Sequence, residues 1–202
     1  MVTELKVQPN SPHSPRRLVV GISGASGAIL GIRLLETARR LGIETHLVIS
    51  AAGQTTIAQE TDWQLNEVLA LASVSYADEA TGAAIASGSF RTHGMVIIPC
   101  SIKSLSAVAN AYSNTLISRA ADVTLKEGRP LVLVVRETPL HAGHLRLMSL
   151  AAQAGAVIFP PVPAFYQRPQ SLDDLINHTV GRVLARLGIE NDLAAEWAGT
   201  EP

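Results

Sequence analysis

The sequence predicts an α/β domain built on a doubly wound, mainly parallel sheet. Strand-like and helix-like segments alternate along nearly the whole chain. Several strand segments are continuous apolar runs, as strands covered on both faces require. The first and last helical segments carry apolar residues at helical spacing and stop at a glycine.

In chain order, RRLVVGIS (16–23) reads as a strand and AILGIRLLETARRLG (28–42) as a helix closed by Gly42. ETHLVIS (44–50) is a second strand, followed by a helical AAGQTTIAQET (51–61). Residues 62–90 are less regular, with a short helix near LNEVLAL and a small-residue loop, AIASGSF. GMVIIPCS (94–101) is a buried parallel strand, with helices following through SLSAVANAY and TLISRAADVTLKEGR. PLVLVVRETP (130–139) is a strand closed by a polar tip and a proline. HAGHLRLMSLAAQAG is a helix, and AVIFPPVPAFY a strand running into a Pro-rich loop. The last helix has Ser171 as N-cap and acidic residues in its first turn, and it ends at Gly188. Its apolar face is Leu172, Leu175, Ile176, Val180, Val183, Leu184 and Leu187. Residues 1–15, polar and Pro-rich, are expected to form a mobile tail, and residues 16–202 one domain.

Composition narrows the function classes. The 202 residues are 47% hydrophobic and 16% charged with a net charge of −1, which gives no electrostatic footprint for nucleic acid or an anionic membrane. So little charge implies that part of the surface is covered in a homo-oligomer. Cys100 is the single cysteine, so no intrachain disulfide forms and a reducing compartment fits. Neither a signal peptide nor an apolar run of spanning length is present, and a cytoplasmic location is expected. The six histidines show no metal-ligand spacing, and no Ser–His–Asp order suggests itself. Cys100, at the end of a buried strand, reads as a small hydrophobe before it reads as a nucleophile.

The chemistry gathers where strands end. VVGISGASGA places a glycine-rich turn between the first strand and first helix, where backbone N–H groups and a helix N-terminus face an anion. The spacing Gly21, Gly24, Gly27 meets neither the dinucleotide fingerprint nor the P-loop. The second strand ends in Ser50, where a dinucleotide site wants a carboxylate. A single phosphate held by backbone, Ser23 and Ser26 fits better; a tight turn packed with small residues is the other reading. Ser87-Gly88-Ser89 and Ser101 with Ser104 are two more small-plus-hydroxyl sites, each also explicable as a turn or N-cap. Arg136-Glu137 closes an apolar strand. Arg119, Asp122 and Lys126 share a helix face, either as a solvated ion-paired surface or as a second anion site. Arg182 flanks the apolar stripe of the last helix, and Tyr166 is held between prolines.

Taken together, GISGASGAILGIRLLE, HLVIS with ETD after it, ASGSF, IIPCSIKSLS, RAADVTLKEGRPLVLVVRETPL, GAVIFPPVPAFYQRPQSLDDLI and VGRVL resemble, in order and spacing, the UbiX-type flavin prenyltransferases of the UbiX/Pad family. The resemblance runs from Arg16 to Trp197. It implies a Rossmann-like, flavodoxin-type three-layer sandwich and a metal-independent transferase. The enzyme would join the dimethylallyl group of dimethylallyl monophosphate to reduced FMN. The product, prenylated FMN, would serve a UbiD-type decarboxylase, in ubiquinone biosynthesis or aromatic acid decarboxylation, and the assembly would be a dodecamer. By position, Gly24, Ala25, Ser26, Ser50, Ser101, Ile102, Lys103, Ser104 and Arg136 would bind FMN. Ser87, Gly88, Lys126, Glu137, Tyr166 and Arg182 would bind dimethylallyl phosphate, with Arg119 reaching in from a neighbouring subunit. Ser26, Glu60, Glu137 and Lys126 would carry the chemistry: Lys126 steadying the departing phosphate, Glu137 shuttling a proton to it, Glu60 and Ser26 moving protons at the flavin. The family often carries an aromatic residue ahead of the SGS block, where this chain has DEATGAA. Two other readings are an FMN-dependent cysteine-type decarboxylase of the same superfamily, against which Glu60 in place of a histidine counts, and a non-catalytic FMN carrier.

Overall fold

The computed structural model describes residues 16–194. In chain order it contains β1 (Arg17–Ile22), α1 (Ala28–Arg40), β2 (Glu44–Ile49), α2 (Ala51–Glu60), α3 (Leu65–Leu71), β3 (Val74–Tyr76), β4 (Gly94–Cys100), α4 (Ile102–Ala109), α5 (Leu116–Lys126), β5 (Leu131–Val135), α6 (Ala142–Gln153), β6 (Val157–Ile158) and α7 (Leu172–Arg186). The six strands are all parallel, in the order β3-β2-β1-β4-β5-β6. The winding reverses between β1 and β4, and open sheets of this kind bind ligands beyond the C-terminal edge at that point.

The period-2 alternation of each strand divides the core into two layers. Leu18, Val20 and Ile22 of β1, Leu47 and Ile49 of β2, Val96 and Ile98 of β4, and Val132 and Val134 of β5 face α1 and α7. Val19, Val48, Met95, Ile97, Leu131, Leu133 and Val135 face the other way, onto α4, α5 and α6. Both faces are covered, which is why these strands read as uninterrupted apolar runs. The result is the predicted three-layer α/β sandwich.

Differences lie at the sheet edges and the ends of elements. The edge strand β3 falls within the stretch that carried no strand pattern; Val74 and Ser75 are exposed there, so no alternation marks them. The strand expected to open AVIFPPVPAFY is two residues long, Val157–Ile158, and the expected Pro-rich loop follows, where Pro160, Pro161 and Pro163 have no N–H to donate to a ladder. The strand at 130–139 is confined to Leu131–Val135. Helix α7 begins as expected, with Ser171 accepting from Asp174 N in a capping box, and Gly188 takes the left-handed φ of +69° just beyond its end. Leu172, however, leaves the expected apolar face: it is 72% exposed, while Ile176, Val180, Val183, Leu184 and Leu187 are buried. The expected tail over 1–15, and Trp197 at the end of the resemblance, lie outside the described residues.

Candidate functional site

Three helices start at the C-terminal edge of the sheet, around a cleft of about 430 Å³ lined by Gly24, Ser50, Ser101, Lys103, Ser104 and Thr115 among others. Ser50 caps α2 by accepting from Gly53 N at 3.1 Å, Ser101 caps α4 by accepting from Ser104 N at 3.2 Å, and Thr115 caps α5 by accepting from Ser118 N. Each cap hydroxyl uses a lone pair in this way, and Ser101 Oγ and Thr115 Oγ1 also lie 3.2 Å from Ser104 Oγ and Ser118 Oγ, so that within each pair one hydroxyl can donate to the other. At α5 the Asp78 carboxylate already accepts from Ile117 N at 2.9 Å, and Asp78 and Glu79 line the same cleft. The N-termini of α2 and α4, with Lys103 beside them, are the part of it that suits an anion. Gly24 is required for the loop to come this close: a Cβ there would overlap the Ala52 methyl.

On the other flank of the same loop, Ser26 and Arg136 line a smaller, mostly apolar cleft of about 240 Å³ with Ile29, Leu30, Leu172 and Leu175. Between the two clefts Glu60 reaches back from the end of α2 onto the start of α1. Its Oε2 accepts from Gly27 N at 2.7 Å and Ala28 N at 3.3 Å, and the Ser26 hydroxyl donates to the same carboxylate. The N-terminus of α1 is therefore capped by the chain's own carboxylate. Partial burial pushes the Glu60 carboxyl upward, but the hydrogen bonds from Ser26, Gly27 and Ala28 and the charge of Arg136 outweigh it and hold the group below its ordinary value. A folded value below 4.5 means that the ionised form stabilises the protein above that pH, and that this contribution is lost as pH falls through the folded value. Thermal unfolding of Glu60→Gln is accordingly expected below that of the unmodified chain at pH 7, with the gap closing in acid. A gap that persists unchanged through pH 3 would remove the ionic contribution of Glu60.

Ser23 is a correction. Read from the sequence as a phosphate-binding hydroxyl, it is 1% exposed, and its Oγ donates to Pro99 O at 2.9 Å and accepts from Ser101 N at 2.8 Å. It ties the ends of β1 and β4 together and presents nothing to a ligand. Cys100 is fully buried with its thiol pushed up to about 12 by desolvation, which makes it an inert core residue. Ala25 is buried in the loop, and Ile102 packs partly buried at the start of α4.

The remaining residues fall into other groups. Glu137 follows Arg136 past the end of β5, exposed, with its Oε1 accepting from Thr138 N at 3.0 Å. The Tyr166 ring meets His178 edge-on at 6.0 Å, and burial followed by the charge of Arg182 lowers the pKa of His178. His178 thus joins Tyr166 and Arg182, and it was missed in the sequence; its signal was its spacing, one helical turn before Arg182. Arg119 pairs with Asp122 at 2.8 Å. Lys126 pairs instead with Glu127, whose carboxyl its ammonium holds below the ordinary value, and both lie against Gly88. This last group lies on the far side of the sheet. Lys126 ends α5 five residues before β5 begins, and 11 helical residues span about 15 Å. Within one chain, Ser87, Gly88 and Lys126 therefore occupy the N-terminal edge, while Ser26, Ser50 and Ser101 occupy the C-terminal edge.

A family model described as Flavoprotein matches residues 6–179. The flavin prenyltransferase UbiX of Escherichia coli strain K12 is 62% identical over 187 residues, covering 91% of this chain and 99% of that protein. The chain belongs to the UbiX family of flavin prenyltransferases. The crystal structure of AnUbiX (PadA1) in complex with FMN and dimethylallyl pyrophosphate matches with a TM-score of 0.91 at 49% identity, covering 93% of this chain and all of that one. A dodecameric FMN-dependent UbiX-like decarboxylase from Escherichia coli O157:H7 matches with a TM-score of 0.88 at 47% identity, covering 91% of this chain and all of that one. The family is one of enzymes with a Rossmann-like sheet. Among the described residues, no group of three or more His, Cys, Asp or Glu side chains could hold a metal ion, and no helix is long and apolar enough to cross a membrane.

Proposed function

We propose that this protein transfers a dimethylallyl group from dimethylallyl monophosphate to reduced FMN, and that its product passes to a UbiD-type decarboxylase. The observation that carries the reading is the pair of clefts on either side of the glycine loop, one edged by Ser50, Ser101, Lys103 and the N-termini of α2 and α4, the other by Ser26 and Arg136 among apolar side chains. Ser50, Ser101 and Ser104 would hold the FMN phosphate in the first cleft with Lys103 supplying charge, and Gly24, Ala25, Ser26 and Arg136 would hold the flavin, which supplies the nucleophilic ring atoms.

In the transfer the allylic C–O bond would break with its electron pair leaving on phosphate, and the freed carbon would bond to a ring nitrogen of the reduced flavin, which gives up its N–H proton. The second bond would consume the prenyl C=C: its central carbon takes up a proton, its far carbon bonds to a ring carbon, and that ring carbon loses its proton, so that phosphate is the only other product. The chain's part is to stabilise the leaving group's charge, deliver its proton and keep water from the allylic cation. Lys126, Arg119, Arg182 and Tyr166 serve the first task, and Glu137 the second. Glu60, kept ionised, accepts a hydrogen bond from the Ser26 hydroxyl, which leaves the Ser26 oxygen's lone pairs to face the flavin.

Lys126 and Ser87 cannot reach the flavin end of their own chain, so neighbouring copies supply them and the site is complete only in a homo-oligomer. Exposed apolar side chains around the Pro-rich loop support such contacts: Val162, Phe165 and Leu172 are each more than 70% exposed. A closed assembly of UbiX type, dodecameric in the Escherichia coli O157:H7 relative, fits this requirement.

The test is anaerobic incubation with reduced FMN and dimethylallyl monophosphate, with the flavin weighed by mass spectrometry. The flavin is expected to gain the mass of one dimethylallyl substituent as phosphate is released. An unchanged flavin from protein that binds both substrates would overturn the reading and leave a flavin carrier.

A further inference from the structure

We propose that Arg129 is a positioning residue for the prenyl-phosphate end of the site, acting through the Ser87–Phe90 loop. The inference rests on the reading of Lys126 and Ser87 as phosphate ligands. Arg129 follows α5 by three residues and is half-buried. Its Nη2 donates to Gly88 O at 2.7 Å, and its Nη1 donates to Phe90 O at 2.9 Å and to Thr92 Oγ1 at 3.3 Å. One planar guanidinium thus spans two carbonyls of the loop, a geometry that a lysine ammonium cannot reproduce.

The other end of the loop is fastened by packing. The Phe90 ring lies 4.8 Å beneath the Arg17 guanidinium and meets His46 edge-on at 5.1 Å. His46 is held in turn by Glu44 at 2.9 Å and by the Tyr76 hydroxyl at 2.9 Å, and Glu44 also accepts from Arg17. With Phe90 fixed and its carbonyl clamped, Gly88 is pressed against the α5 end. A Cβ on Gly88 would fall 2.8 Å from Lys126 Nζ and would overlap the Glu127 carboxylate. The place of the Lys126 ammonium relative to Ser87 is therefore set by the loop, and the loop by Arg129.

Steady-state kinetics at varied dimethylallyl monophosphate and saturating reduced FMN test this on the assembled protein. Arg129→Ala is expected to raise KM for the prenyl phosphate about tenfold, the effect of losing part-buried hydrogen bonds worth one decade. Arg129→Lys should fall between it and the unmodified protein, kcat should change less than KM, and FMN affinity should be unchanged in both. A purely structural role would instead lower the active fraction, and hence apparent kcat, with KM unmoved. Should the alanine variant fail to assemble, the lysine variant carries the test. Unmoved KM in the Arg129 variants beside a raised KM in Lys126→Ala would overturn the role of Arg129 and leave the phosphate site standing. Unmoved KM in Lys126→Ala would overturn both.

Discussion

Glu137→Gln is expected to slow turnover by about 10²- to 10⁴-fold, the usual worth of a positioned general acid or base. FMN binding should be unaffected, because Glu137 lines neither cleft flanking the glycine loop. The amide keeps the side chain's shape and its acceptor for Thr138 N, so the local turn survives. What it removes is a carboxyl oxygen able to relay a proton to the phosphate leaving group. Rapid-quench assays, with FMN affinity from fluorescence, would separate the two effects. Full activity in the variant would take Glu137 out of the reaction.

Lys126→Ala is expected to lower kcat/KM for the prenyl phosphate by about 10²- to 10³-fold, as for removal of one preorganised charge-stabilising donor. The location of Lys126 allows a stronger test than the loss itself. Since it lies at the opposite edge of the sheet from Ser26, a site that uses both residues, as proposed, would draw them from different copies. Assemblies mixed from Lys126→Ala chains and Ser26→Ala chains, each impaired alone, are expected to regain part of the activity through sites that combine an intact Ser26 with an intact Lys126. Mixed assemblies as impaired as either parent would place both residues in one chain's site and contradict the geometry of α5.

Much of the fold was legible because each central strand is covered on both faces and so writes its burial as an unbroken apolar run. The start of α7 was legible because capping is local: Ser171 and Asp174 are three residues apart. Signals that depend on distant partners were not. Nothing near Ser23 says that its hydroxyl joins two strand ends 76 residues apart in sequence, and a buried serine after a strand looks the same as one facing a ligand. Glu60 was picked out only by resemblance, since its contact with α1 spans 33 residues. The separation of Lys126 from the flavin end could have been deduced without coordinates. A residue that closes a crossover helix lies where the next parallel strand begins, which is the edge away from the ligand loops. His178 was passed over as a helix residue, although Tyr166 lies in a rigid loop that had to pack on something.

The carboxylate seated on the first turn of α1 has a consequence for the catalytic cycle. An open helix end must find a counter-charge each time an anionic ligand departs, and a loop stabilised only by its ligand would slacken on every release. Here that counter-charge is covalently part of the chain, so letting go of the finished flavin leaves no electrostatic debt at α1. The start of α1 is thus held by a contact that does not depend on a bound ligand.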